Sequence, residues 1–113
     1  MNLSQFLAWT DGPSNQWLRE RFMDVYVRRS KRYIDKEMVE CLDLATVNVD
    51  DRHRGKGHLT KFLPRFEQEA MRLKRVVYLE NILEPRLVPF FLRMGYKFVP
   101  NIDPIIPSMY KIV

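Results

Sequence analysis

The chain holds a single cysteine, Cys41, among 113 residues, so no internal disulfide can close. Without a disulfide framework the reducing cytoplasm is the default setting. Long apolar runs are also missing: none approaches the ~20 residues needed to span a bilayer. The opening MNLSQFLAWTDG lacks the charged lead and apolar centre of a secretory signal, so no membrane role is expected. Only two histidines occur, His53 and His58, and neither has a carboxylate or cysteine at ligand spacing, which argues against a metal site. Acidic residues are outnumbered, 14 against 19 basic, and the resulting charge of +5 favours an anionic partner. That partner could be a small molecule, an acidic protein face or nucleic acid; the plain alternative is that the charge serves solubility.

What is present suits one soluble domain over residues 1–113, with 46% hydrophobic and 29% charged residues and no internal repeat. Leu3, Phe6 and Leu7 give a short helical stripe over 2–9 that stops at the turn signal Thr10-Asp11-Gly12-Pro13. Ser14 or Asn15 caps a second expected helix with Trp17, Leu18 and Phe22 on one face. From Met23, apolar Val25 and Val27 alternate with Asp24, Tyr26 and Arg28, the pattern of a half-buried strand. The basic run Arg28-Arg29-Ser30-Lys31-Arg32 reads as a solvated hairpin, or as a face for an acidic partner, before the turn-like Asp35-Lys36. A long strand follows over 38–49, whose apolar phase slips near Ala45-Thr46, as one extra residue in a β-bulge would produce. Cys41 in that strand reads as a buried structural residue. Trp9, Trp17, Tyr33 and Phe98 fit a core better than a base-stacking surface, which leaves nucleic acid a weak reading.

The chain is organised around what comes after that strand. Past Val49, the basic loop Arg52-His53-Arg54-Gly55-Lys56-Gly57 leads into apolar residues at Leu59, Phe62, Leu63, Phe66, Ala70 and Leu73, one stripe of a helix. A helix start presents unpartnered N–H groups and the positive end of a dipole, and two glycines let a ligand approach the backbone. With Arg52, Arg54, Lys56 and Lys61 around it, the loop reads as a phosphate or pyrophosphate cradle. Neither GxGxxG nor GxxxxGKS/T is present, which sets aside the dinucleotide and nucleoside-triphosphate loops. Pro64 should kink the helix. Arg75 to Asn81 reads as a strand with Val76, Tyr78 and Glu80 on one side and Val77, Leu79 and Asn81 on the other. Pro85 to Met94 reads as a helix with Leu87, Phe90, Phe91 and Met94 buried and Gly95 at its end. Strands at 96–99 and 109–113 flank a proline-rich loop over 100–107.

This order of strand, glycine-bearing loop, helix, strand and helix resembles the GNAT superfamily of N-acetyltransferases over residues 38–99. The loop is similar to the family's motif Q/R-x-x-G-x-G/A, taken here as Arg54 to Leu59, with Val49-Asp50-Asp51 in the place of valine-x-proline. Leu59 departs from the small residue of that pattern. A register two residues earlier, Arg52 to Gly57, satisfies it fully but would displace the following helix from its usual offset. Downstream, Phe91-Leu92-Arg93-Met94-Gly95-Tyr96 stands where the family's last helix ends in a glycine. Short phage and bacterial members look most alike, and the family's usual front strand is not seen here, so the chain looks trimmed at the front.

The resemblance implies an α/β (α+β) fold: a mixed, mostly antiparallel sheet splayed at its centre, with helices on both faces. It implies acetyl-CoA as cofactor, its pantetheine arm on Val47, Asn48 and Val49 and its pyrophosphate on Arg54, Gly55, Lys56, Gly57, His58, Leu59 and Thr60. Transfer needs a held thioester, a neutral amine and a tolerable thiolate. Family usage makes Glu80 the candidate base, against a plain reading as a surface carboxylate paired with Arg86 or Arg93; Glu40 and Asp43 are runners-up. The tyrosine that commonly protonates the thiolate is Phe91 here, and the family's asparagine is Glu84, with Asn81 close by. Tyr78, Tyr96 and Tyr110 remain as donors, with Tyr78 the leading one; alternatively a thiolate leaves unaided. The expected activity is acetyl transfer to a primary amine of a protein, a host protein included, or of a small molecule. The rival is an inactive GNAT scaffold that binds a partner protein through its basic hairpin, and a homodimer stays open.

Overall fold

A computed structural model describes residues 15–20, 22–50, 52, 55, 57–82, 84–100 and 106–113. The helix expected over 2–9 lies outside these residues. The chain runs β1 (Asn15–Glu20), β2 (Met23–Ile34), β3 (Glu37–Val49), α1 (His58–Arg72), β4 (Val76–Leu79), α2 (Leu87–Arg93), β5 (Lys97–Phe98) and β6 (Met109–Lys111). These strands form one six-stranded sheet in the order β1-β2-β3-β4-β6-β5. All neighbours pair antiparallel except β3 and β4, which run parallel and are joined through α1. No helix among the described residues is long and apolar enough to cross a membrane.

The expected helix from Ser14 or Asn15 to Phe22 is a strand instead. Residues Asn15 to Glu20 pair with Arg28 to Met23, leaving a two-residue connection in which Phe22 takes φ 60. Such tight hairpins need positive φ in the turn. Leu18, opposite Val25, is the buried residue of β1, while Trp17 packs at a tilt against Tyr26 at 5.2 Å and stays 49% exposed. Pairing with β2 decides the segment, and a three-residue apolar stripe is too weak a helix signal to resist it. The preference for a core role also fails for Trp17, Tyr33 (66% exposed) and Phe98 (48% exposed).

The β2–β3 hairpin turns at Asp35-Lys36, both at positive φ, as their turn-like character suggested. The basic run does lie in this hairpin, as the body of β2, but apart from exposed Lys31 it is half-buried rather than solvated. Opposite residues of paired strands share a face, which puts Val25, Val27, Leu42, Leu44, Val77 and Leu79 on one side. There they meet Phe62, Leu63, Phe66 and Ala70 of α1, and Phe91 of α2 joins the same cluster. The helix stripe read from spacing is therefore the buried stripe, and α1 continues unbroken across Pro64. The other face carries a smaller cluster of Ile34, Cys41, Tyr78 and Val99. Arg28, Ser30, Arg32 and Asp43 share that face by register.

Two local features open the sheet at its centre. Between Tyr26 and Val27 the β2–β3 register shifts: Tyr26 faces Thr46 and Val27 faces Leu44, so Ala45 is the extra residue of a bulge. This is the position where the sequence phase slips. On the far side, β4 follows β3 only over Cys41 to Leu44. Past Leu79, Asn81 adopts φ 47, its N–H donates to Ser108 Oγ at 3.0 Å, and the Ile82 N–H donates to the Pro107 carbonyl at 2.7 Å. Those bonds lead the chain toward β6 and away from β3.

Candidate functional site

The parted strands enclose a groove of about 210 Å³. One wall is Leu44 to Asn48 of bulged β3; the other is Leu79 to Ile82, with Glu84 and Phe91 closing an end. In a β-strand about every second amide points away from a given neighbour. Over Ala45 to Asn48 that outward side faces no strand among the described residues, so backbone donors and acceptors line the groove beside apolar side chains. This is the wall an amide-bearing, flexible chain would need.

The second part of the site is the start of α1. Gly57 is the N-cap residue at φ 80 with no side-chain cap, and Gly55 stands at φ 73. These are left-handed conformations that side-chain-bearing residues rarely adopt. A Cβ at either glycine would meet no atom of the described residues within 4 Å, which leaves room for a ligand to approach the backbone. No acidic residue occupies the first turn, and the Leu59 and Thr60 amides have no carbonyl behind them in the helix. An anion is the natural ligand of such an end. Arg54 and Lys56 lie outside the described residues. Leu59 is a helix residue packed against the main core, and His58 makes an edge contact with Phe22 at 5.2 Å.

The groove brings together Val47, Asn48, Glu80, Asn81 and Phe91, five of the residues expected from sequence. It does not include Val49 or Tyr78. Tyr78 is buried in the cluster on the opposite face, its ring 4.1 Å beneath the Arg32 guanidinium. Tyr96 is committed elsewhere: its hydroxyl donates to Glu67 Oε2 at 2.7 Å. Burial first, and then that hydrogen bond, push its phenol well above the ordinary range. Among the described residues no cluster of three or more metal-ligating side chains occurs.

Glu80 is not paired with Arg86 or Arg93. Its Oε2 is held by Arg28 Nη2 and by Arg32 Nη2 at 3.1 Å, while Arg86 turns to Glu84 at 3.0 Å. Arg28 and Arg32 also face Asp43, fully buried on β3: Arg32 Nη2 donates to Oδ2 at 2.7 Å, Arg28 Nε lies 3.5 Å away, and Ser30 Oγ donates to Oδ1 at 2.8 Å. Asp43 is thus shut off from any substrate, while Glu40 is exposed outside the groove. Sequence reasoning missed this network, as it missed Ser108. The alternation of Arg28, Ser30 and Arg32 on a strand was the available signal; Ser108 had none.

No family model matches the sequence, and no curated protein does. Solved structures are similar. A point mutant of the toxin AtaT, bound to the C-terminus of the antitoxin AtaR and acetyl-CoA, matches 80% of this chain with a TM-score of 0.56 and 12% identity. A KacTA–DNA complex matches 96% with a TM-score of 0.61 and 14% identity. The chain spans 57% of the first matched chain and 77% of the second. Identities this low carry the fold alone. The fold is GNAT-type: a mixed, mostly antiparallel sheet that splays at its centre, with α1 and α2 packed on it.

Proposed function

We propose that this chain binds acetyl-CoA and transfers the acetyl group to a primary amine. The observation that carries the reading is the gap opened between β3 and β4 beyond Leu44 and Leu79 by the Ala45 bulge and the Asn81 turn. The pantetheine amides would pair with the β3 edge over Thr46 to Asn48, and Phe91 would pack against the arm. The pyrophosphate would sit on the first turn of α1. The two positive-φ glycines, followed at once by the helix at His58, favour the register Arg52 to Gly57 over Arg54 to Leu59 for that cradle. Acetyl-CoA in one similar structure supports the same ligand here.

Bound acetyl-CoA supplies an activated thioester. Glu80 borders the groove as a carboxylate, and would receive the ammonium of the acceptor and take its proton, directly or through water. Its two arginine partners hold it in place. No tyrosine hydroxyl borders the groove among the described residues, so the thiolate would leave without a side-chain acid, which its stability as an anion permits. The acceptor is a protein amine, an N-terminus or a small amine.

Isothermal titration of the purified protein with acetyl-CoA tests the cofactor, with binding expected and a flat titration rejecting it. Thiol release with a panel of amines tests the reaction. Glu80→Gln is expected to lower turnover at least ~100-fold with unchanged cofactor affinity; unaltered turnover would remove Glu80 from the role. A protein that binds the cofactor yet acetylates none of the amines would favour the partner-binding scaffold.

A further inference from the structure

We propose that Asp43 is a positioning residue for Glu80, acting across the sheet face through the Arg28 and Arg32 guanidiniums. The inference rests on the acetyltransferase reading for its consequence and on side-chain geometry for its substance. Arg32 Nη2 touches Asp43 Oδ2 at 2.7 Å and Glu80 Oε2 at 3.1 Å, so one nitrogen bridges the two carboxylates. Arg28 spans the same gap, with Nε toward Asp43 and Nη2 on Glu80. Tyr78 supports the Arg32 plane from below, and Ser30 fixes the other oxygen of Asp43.

The arrangement calls for a reason beyond stability. Two carboxylates and two guanidiniums at mid-sheet carry a desolvation cost, and apolar residues of similar volume often serve a fold as well or better. Only Glu80 of the four charged groups reaches the groove. Asp43 therefore has no substrate to meet; what it does is hold two flexible arginines in one geometry, which in turn hold Glu80. It also balances their charge. With Asp43 ionised, the quartet is neutral, and Glu80 can exchange a proton with an acceptor without opposing an uncompensated cation pair.

Among the described residues, the charged and titratable groups around Glu80 are few. Arg28 and Arg32 come from β2, Cys41 and Asp43 from β3, Arg75 from just before β4 and Tyr78 from within it, Tyr110 from β6, and Glu84 from the end of the groove. Asp43 is the anion nearest to the bridging nitrogens, so its removal gives a signed effect. Asp43→Asn leaves two guanidiniums on one carboxylate and favours ionised Glu80. Arg32→Gln removes one guanidinium and acts in the opposite sense. Like charges sharing one bridging nitrogen at an effective dielectric of about 20 give a shift on the order of one pH unit.

The test is a titration of the Glu80 carboxyl by carbon-13 NMR in the full chain, beside the pH profile of kcat/KM. Asp43→Asn is expected to move the Glu80 midpoint and the acid limb to lower pH, and Arg32→Gln to move both to higher pH. Asp43→Ser, which also removes the charge, should shift both in the direction of Asp43→Asn; it serves if Asp43→Asn does not fold. Glu67→Gln, in a separate network, should move neither. A Glu80 midpoint unchanged in folded Asp43→Asn or Asp43→Ser, or shifted the same way by Asp43→Asn and Arg32→Gln, would overturn the proposal. Should the protein turn over no amine, the acetyltransferase reading fails while the NMR titration still decides the coupling.

Discussion

Cys41 is fully buried in the middle of β3, and burial, then the neighbouring Asp43 charge, push its thiol from 9.0 up to about 11. Only the thiolate reacts, so the native protein should alkylate slowly. At pH 8 iodoacetamide labelling is expected to run roughly 100-fold slower in the folded protein than in urea, as two units of thiol pKa imply; equal rates would contradict the burial. The sign for stability follows: the neutral thiol is favoured in the folded state, so its contribution is complete below pH 9 and erodes as pH rises from about 9 to 11. Tyr96 presents a second residue-scale test. Its hydroxyl is occupied by Glu67, which also takes Lys111 Nζ at 3.2 Å, tying α1 to the β5–β6 end of the sheet. Tyr96→Phe should therefore lower stability by about 1–2 kcal/mol in urea unfolding, and leave thiol release unchanged. A loss of turnover at full stability would instead make Tyr96 the missing acid.

Among the elements, those governed by local periodicity were legible in the sequence. The α1 stripe, the two faces of β4, the Gly95 stop and the Ala45 phase slip all rest on patterns within one segment, and each appears where the pattern puts it. What was not legible depends on partners far along the chain. β1 is a strand because β2 is beside it, and Arg28 and Arg32 are half-buried because Asp43 and Glu80 draw them in. Likewise, the chain turns away from β3 at Asn81 because Ser108 holds the Asn81 N–H and Pro107 the Ile82 N–H. The front helix read from Trp17, Leu18 and Phe22 failed for that reason, with no local rule broken. Pro64 offers a test at this scale. It is solvent-exposed inside α1 and deprives the helix of one N–H without contributing to the core. Pro64→Ala should stabilise the protein by about 1 kcal/mol, less than the ~3 kcal/mol interior penalty because the helix already accommodates the ring. A destabilised variant would show that the proline shapes α1 for its place on the sheet.

Over the whole molecule, a sheet that pairs continuously from β1 to β3 and from β4 to β5 is joined at its centre by only four residue pairs. That short parallel seam leaves room for a ligand at one end, and the start of α1 offers glycine backbone for an anion. A diphosphate with a long amide-bearing thiol arm is the ligand proposed to occupy both features. Amide hydrogen exchange of the purified protein, with and without saturating acetyl-CoA, reads this directly at the backbone. Protection gained at Thr46 to Asn48 together with Leu59 and Thr60 is the predicted result. Exchange unchanged in both segments, with or without the cofactor, would contradict it.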